Sequence, residues 1–129
     1  MAQVTTSRSY EVPADEMWAR IGGFTTFDTW HPAIASCESH DGGARRTLTT
    51  VDGAVIAETL TEEGERSYAY VIDESPLPVA DYSAQLSVSP AGDASCTVDW
   101  VARFTASGAS DAEAEAVIEG IFAAGLDAL

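Results

Sequence analysis

The sequence predicts an α+β domain in which a seven-stranded, curved antiparallel sheet wraps around a long C-terminal helix, with two short helices between the first and second strands. Three observations carry this reading. Short alternating runs follow one another through Gly, Asp and Pro turns, with no helical segment between them to serve as a parallel crossover. The C-terminal segment carries an apolar stripe at helical spacing, and such a face needs a sheet to cover. Between the first strand and the rest, Pro13, Gly22-Gly23 and Pro32 punctuate two short, aromatic-rich stretches.

Val4 to Val12 alternates as the first strand, with Val4, Thr6, Arg8, Tyr10 and Val12 on one face. Pro13 suits the first turn of a helix, in which Trp18 and Ile21 share a side, and Gly22-Gly23 ends it. Phe24 to Trp30 forms the second short helix, with Phe24 and Phe27 inward. Proline disfavours helical geometry at the residue before it, so this helix stops at or before His31. Ile34 to Ser39 is the next strand, closed by Asp41-Gly42-Gly43. Arg45 to Val51 and Ala54 to Thr61 flank Asp52-Gly53, a strong hairpin signal. Ser67 to Asp73 follows. Pro76 and Pro78 mark a loop, since proline is excluded from central strands. Val79 to Val88 and Ser95 to Ala106 make the last hairpin, around Pro90 to Asp93. Ser110 and Glu113 then read as a capping box. Ala114, Val117, Ile118, Ile121, Phe122, Gly125 and Leu129 line one helix face behind it, and residues 112 to 129 span about 27 Å at 1.5 Å per residue, enough to cross a sheet.

A chain of 129 residues is one domain, 1–129, with 46% apolar residues and a net charge of −15. All six basic residues are Arg. So acidic a surface repels phosphate backbones and anionic lipid, which argues against nucleic-acid and membrane partners. No apolar run is long enough to span a bilayer, and the N-terminus lacks the apolar core of a secretory signal, so the expected compartment is the cytoplasm. Cys37 and Cys96, far apart in the sequence, are expected as free thiols. With two Cys and two His, a four-ligand zinc site is not expected. No phosphate loop, dinucleotide fingerprint or nucleophile elbow is present, so no metal or cofactor is expected.

Several segments resemble one family: Phe24 with Trp30-His31-Pro32-Ala33-Ile34, then Arg46-Thr47-Leu48, Ile56 to Leu60, Tyr68-Ala69-Tyr70, Leu77-Pro78-Val79 with Tyr82, and Val98-Asp99-Trp100. Together they look like the polyketide cyclase/dehydrase and lipid-transport group of the START-like, pollen-allergen-like superfamily. The resemblance covers residues 2 to 129. It implies the helix-grip fold, with a cavity between sheet and long helix. It does not settle reaction type, because members include cyclases, dehydratases, receptors and carriers.

Alternation along each strand sets which side chains point into that cavity. Arg46, Leu48 and Thr50 share a face, as do Ile56, Glu58 and Leu60, and Tyr68, Tyr70 and Ile72. Tyr82, Ala84, Leu86 and Val88 follow, then Val98, Trp100, Ala102 and Phe104. These faces hold the bulkier apolar groups and are expected inward. Arg46 and Glu58 should then pair, since a lone buried charge is costly. A two-residue Asp52-Gly53 turn would oppose Arg46 to Thr59 and set Arg46 and Glu58 on opposite faces, unless a bulge or a longer turn intervenes. Otherwise Arg46 faces solvent. The resemblance favours both inward.

His31 titrates nearest neutral pH of the candidates. It is either a pocket acid–base group or a structural ring bonded to a backbone carbonyl. Glu58 is either an ion-pair partner or a base with a raised pKa. The expected catalytic set is His31, Glu58, Arg46 and Tyr70. The expected ligand contacts are Trp30, Tyr68, Tyr82, Trp100, Phe104, Ile118 and Phe122. The leading function is a cofactor-independent cyclase or dehydratase acting on a hydrophobic, oxygenated, polyketide-like molecule. The alternatives are a non-catalytic carrier of a hydrophobic small molecule and an interaction module with its cavity filled. The chain is expected as a monomer or homodimer.

Overall fold

In the computed structural model, which describes residues 2–129, the strands are β1 (Ala2–Tyr10), β2 (Ile34–His40), β3 (Arg45–Thr50), β4 (Val55–Gly64), β5 (Ser67–Glu74), β6 (Val79–Gly92) and β7 (Ser95–Ala106). Helix α1 spans Ala14–Ile21 and α2 spans Asp111–Leu126. The seven strands form one antiparallel sheet in the order β1-β7-β6-β5-β4-β3-β2. This is the predicted helix-grip architecture. The second short helix is a 3-10 stretch, Phe24–Thr29, kinked at Thr26, rather than a regular α-helix. It still buries Phe24 and Phe27, because the turn keeps both rings on the side facing β2 and β3.

The β3–β4 register differs from that of a two-residue Asp-Gly turn. Thr50 and Ala54 close the hairpin through Thr50 N–H to Ala54 O at 2.9 Å, while Gly53 N–H bonds Thr50 O at 3.0 Å. The loop is therefore Val51-Asp52-Gly53, a turn followed by a left-handed residue, and Gly53 takes that place with φ +88°. The extra residue moves the register by one, so that Arg46 lies directly opposite Glu58 and Leu48 opposite Ile56. Both charged side chains then point inward, and the solvent-facing alternative for Arg46 is excluded.

Helix α2 begins with the predicted capping box: Glu113 N–H donates to Ser110 Oγ at 3.1 Å, and Ser110 N–H to Glu113 Oε1 at 3.2 Å. The helix packs against β1 and β7, and the Tyr10 hydroxyl ties β1 to its last turn by donating to Leu126 O. Ala114, Ile118, Phe122, Gly125 and Leu126 are its buried face. Phe122 stacks on Trp100 with ring centroids 4.1 Å apart and planes 9° apart. That stack fills much of the space between helix and sheet, and Leu86, Val98, Ala102 and Phe104 are sealed around it. Cys37 and Cys96 are unpaired. No described helix is long and apolar enough to cross a membrane.

Candidate functional site

Between the concave sheet face and α2 lies a cavity of about 60 Å³. Its apolar wall comes from alternate positions of three strands, Leu48, Ile56 and Ile72 among them, with Phe27, Trp100 and Phe122 closing it. Its polar atoms come from Glu58, Tyr70, Tyr82, Thr50 and His31. Strand alternation accounts for this set, since inward positions on neighbouring strands stack into one patch.

Glu58 is 5% exposed and Arg46 1%. The guanidinium meets a single carboxylate oxygen: Nε donates to Glu58 Oε1 at 2.7 Å and Nη2 lies 2.6 Å from the same atom. Nη1 donates to Phe24 O at 2.6 Å. Aromatic rings box the cation in, with Phe24 at 4.1 Å, Phe27 at 4.5 Å and Tyr70 at 5.0 Å from its central carbon. Burial alone would lower the Arg46 pKa, but the adjacent carboxylate outweighs it and the cation is held protonated. Burial pushes the Glu58 carboxyl up, and Arg46 pulls against it. Arg46 sits behind Glu58, outside the cavity lining. Glu58 thus lines the cavity and Arg46 does not, and neither short contact uses Glu58 Oε2.

His31 is fully buried, between Phe27 at 5.0 Å and Trp30 at 5.8 Å. The Ala33 N–H donates to its Nδ1 at 3.1 Å, and Nε2 lies 2.8 Å from Ile121 O in α2. Those partners assign the tautomer: Nε2 carries the proton and donates, and Nδ1 accepts. The ring thus pins the β2 entry loop to the helix, and while both bonds hold neither nitrogen is free to move a proton. Gly125 makes this possible, because a Cβ there would lie 2.6 Å from His31 Cδ2. Burial lowers the His31 pKa, and nearby Arg46 lowers it further against the raising effect of the Ile121 carbonyl. A folded-state pKa below the ordinary 6.5 means that the unfolded chain binds the extra proton more readily. Stability from this group is therefore present above about pH 6.5 and is lost as pH falls towards the folded value. We expect the melting temperature of the wild type to fall more steeply than that of His31→Gln between pH 7 and pH 5. Parallel pH profiles by circular dichroism would contradict this account of the ring.

Of the predicted site residues, His31, Glu58, Tyr70, Tyr82, Trp100 and Phe122 come together around the cavity. Arg46 is outside the lining and packs against its members Glu58, Phe27 and Tyr70. Trp30, Tyr68, Phe104 and Ile118 are buried but outside the lining. Trp30 packs on Phe27 and Trp100, Tyr68 on Phe24 and Trp18, and Phe104 stacks on Tyr82. The Tyr70 hydroxyl accepts from Trp100 Nε1 at 3.1 Å. Sequence reading missed Ala33, Leu77 and Ile121 as lining. Ile121 was legible as part of the apolar helix stripe, but Ala33 and Leu77 lie in loops with no periodicity to place them.

The sheet opens beside the cavity. Pairing of β5 with β6 runs from Ser67↔Ser87 to Val71↔Ser83 and stops, and β6 bulges between Ala80 and Ser83 with Asp81 at φ +52°. The strands part around a groove of about 710 Å³, of which Ile72 and Tyr82 also line the inner cavity. Among the described residues, no group of three His, Cys, Asp or Glu side chains is arranged to hold a metal ion.

A curved antiparallel sheet gripping a C-terminal helix over a small cavity is the helix-grip fold. The sequence matches the polyketide cyclase/dehydrase and lipid transport family over residues 1–129, and the chain belongs to that family. It is similar to the protein XoxI from Bacillus cereus, at 35% identity and TM-score 0.97 over 99% of this chain and 92% of that one. At 12% identity it shares the fold of a START superfamily protein from Mycobacterium smegmatis, with TM-score 0.83 over 99% of this chain and 94% of that one. At 18% identity it shares the fold of the Zhui aromatase/cyclase from Streptomyces sp. R1128, with TM-score 0.78 over 98% and 89% of the two chains. None of the curated proteins compared with the chain matches it.

Proposed function

We propose that the protein binds a small hydrophobic molecule in the cavity between sheet and α2, as a carrier or receptor that leaves it unchanged. The observation that carries this reading is the composition of the cavity wall: mostly apolar and aromatic side chains, with a few polar groups and one buried carboxylate among them. Ligand sites are typically apolar with few polar groups to fix orientation. Size weighs against a bulky polycyclic substrate. Sites for drug-sized ligands usually measure about 300–1,000 Å³, and this one is about 60 Å³. A filled interaction module is the poorer reading, because a cavity remains and its polar groups converge on it.

Acid–base catalysis on the same ligand is the second reading, favoured by the upward push that burial gives the Glu58 carboxyl. In that scheme Glu58 takes a proton, Arg46 orients it, and the Tyr70 or Tyr82 hydroxyl donates to a ligand oxygen. The cyclisation or dehydration expected from the sequence would use that machinery, with His31 holding the framework together.

Xenon and 3-methylbutan-1-ol are suitable probes: apolar cavities bind xenon, and the alcohol adds a hydroxyl for the polar groups of this wall. Both should shift the amide NMR signals around Leu48, Ile56 and Phe122. Ile56→Phe, which fills the cavity, should abolish those shifts while keeping the spectrum folded. No shift with either probe in the wild type would refute binding at this site.

A further inference from the structure

The polar atoms facing the cavity are mostly acceptors or already committed. The Nε2–H of His31 is spent on Ile121 O, and its Nδ1 accepts from Ala33. Thr50 Oγ1 accepts the Ala54 N–H at 3.0 Å. Tyr70 accepts the indole N–H of Trp100. The hydroxyl protons of Thr50, Tyr70 and Tyr82 are the neutral donors left, and each hydroxyl accepts as readily as it donates. Against them stands the one formal charge on the wall, the Glu58 carboxylate. Its Oε1 carries both guanidinium contacts, and its Oε2 is in neither. The balancing cation is not among the lining residues, though it packs on Phe27 and Tyr70, which are. Of the ion pair, the anionic member is thus the one that lines the ligand space.

On the reading that this cavity is the ligand site, we infer that it selects a small hydrophobic amine, bound as its ammonium ion, over an alcohol, a ketone or a carboxylic acid of the same skeleton. An ammonium brings three donors and no acceptor, the complement of this wall. A charge-assisted bond to a carboxylate is roughly twice as strong as a neutral one. The rings of Tyr70, Tyr82 and Trp100 line the same space, with Phe104 stacked on Tyr82 and Phe122 on Trp100, and an open aromatic face attracts cations. These contacts offset the cost of desolvating the ammonium. A ketone finds only neutral hydroxyl donors, and a carboxylate meets Glu58 as a like charge. The approach is consistent: no basic side chain lines the groove where β5 and β6 part, whereas Glu74 and Asp81 do. Asp73 is there too, but it already takes the Thr59 hydroxyl and faces Arg45 at 3.9 Å. The net charge of −15 attracts cations at longer range.

The test is a matched series titrated into the wild-type protein at neutral pH and low salt, read by NMR shifts of cavity residues. The probes are 3-methylbutylamine, 3-methylbutan-1-ol and 3-methylbutanoate. The amine should bind at least tenfold more tightly than the alcohol, and the acid should not bind. Arg46→Met/Glu58→Leu, which removes both charges together and leaves no lone buried ion, should lose the amine preference, the amine binding no more tightly than the alcohol. If the alcohol binds as tightly as the amine, the ligand class is wrong while the binding site stands. If the amine keeps its advantage in the double variant, Glu58 is not the selector and the inference fails. If none of the three binds and xenon also leaves the cavity signals unmoved, the proposed binding function fails with it.

Discussion

Arg46→Met should lower stability by about 3–5 kcal/mol, the usual cost of leaving one buried partner of an ion pair uncompensated. Glu58 would remain 5% exposed beneath the sheet with neither guanidinium nitrogen on its Oε1. Phe24 O would also lose its donor. A domain with about 5–15 kcal/mol in hand would be brought near its unfolding threshold. Arg46→Met/Glu58→Leu should recover most of the loss, because apolar replacement of a whole buried pair is often neutral or stabilising. Urea denaturation of the two variants measures this. If the double variant is as unstable as the single one, the pair holds the fold by its specific geometry, and the desolvation argument is wrong. The pair would then be an architectural element rather than a device for presenting charge to the cavity.

The second large effect is a reversal of sign within one helix. Gly120 and Gly125 both lie inside α2. Replacing glycine by alanine in a helix normally stabilises by about 0.5–1 kcal/mol, and Gly120→Ala should do so, because a Cβ there meets nothing within 4 Å. Gly125→Ala should instead cost about 1–3 kcal/mol, the range for overpacking a filled core. Its Cβ would sit 2.6 Å from His31 Cδ2 and 3.1 Å from Trp30 Cζ3. Relief requires the imidazole to move and stretch its bond to Ile121 O, so the His31 ring signals should shift in Gly125→Ala and stay put in Gly120→Ala. Equal stabilisation by both substitutions would mean that His31 is not clamped against the helix.

The ring held by Gly125 separates what the sequence carried from what it did not. Trp30-His31-Pro32 was legible as a helix end beside an aromatic cluster, because proline acts on its immediate neighbour. The partners of His31 were not, since Ile121 lies ninety positions away and its carbonyl carries no side-chain signature. Gly125 looked like one more small residue on an apolar stripe. Its close contact with an imidazole exists only once α2 is laid across the sheet.

The sequence by itself determined the element order, the inward face of the strands from β4 to β7, the capping box of α2 and the family. All of these rest on short-range rules: alternation of two along a strand, 3.6 along a helix, and turn residues at hairpins. Tertiary structure decided the rest. The left-handed Gly53 added one residue to a turn, and that single step joined Arg46 to Glu58 on the inner face. The Trp100–Phe122 stack set how little of the cup stays open. The parting of β5 from β6 set where the sheet opens beside the cavity. Each depends on register and packing between distant segments, where one residue of slip or half a ring's width changes the outcome, and no local periodicity records that.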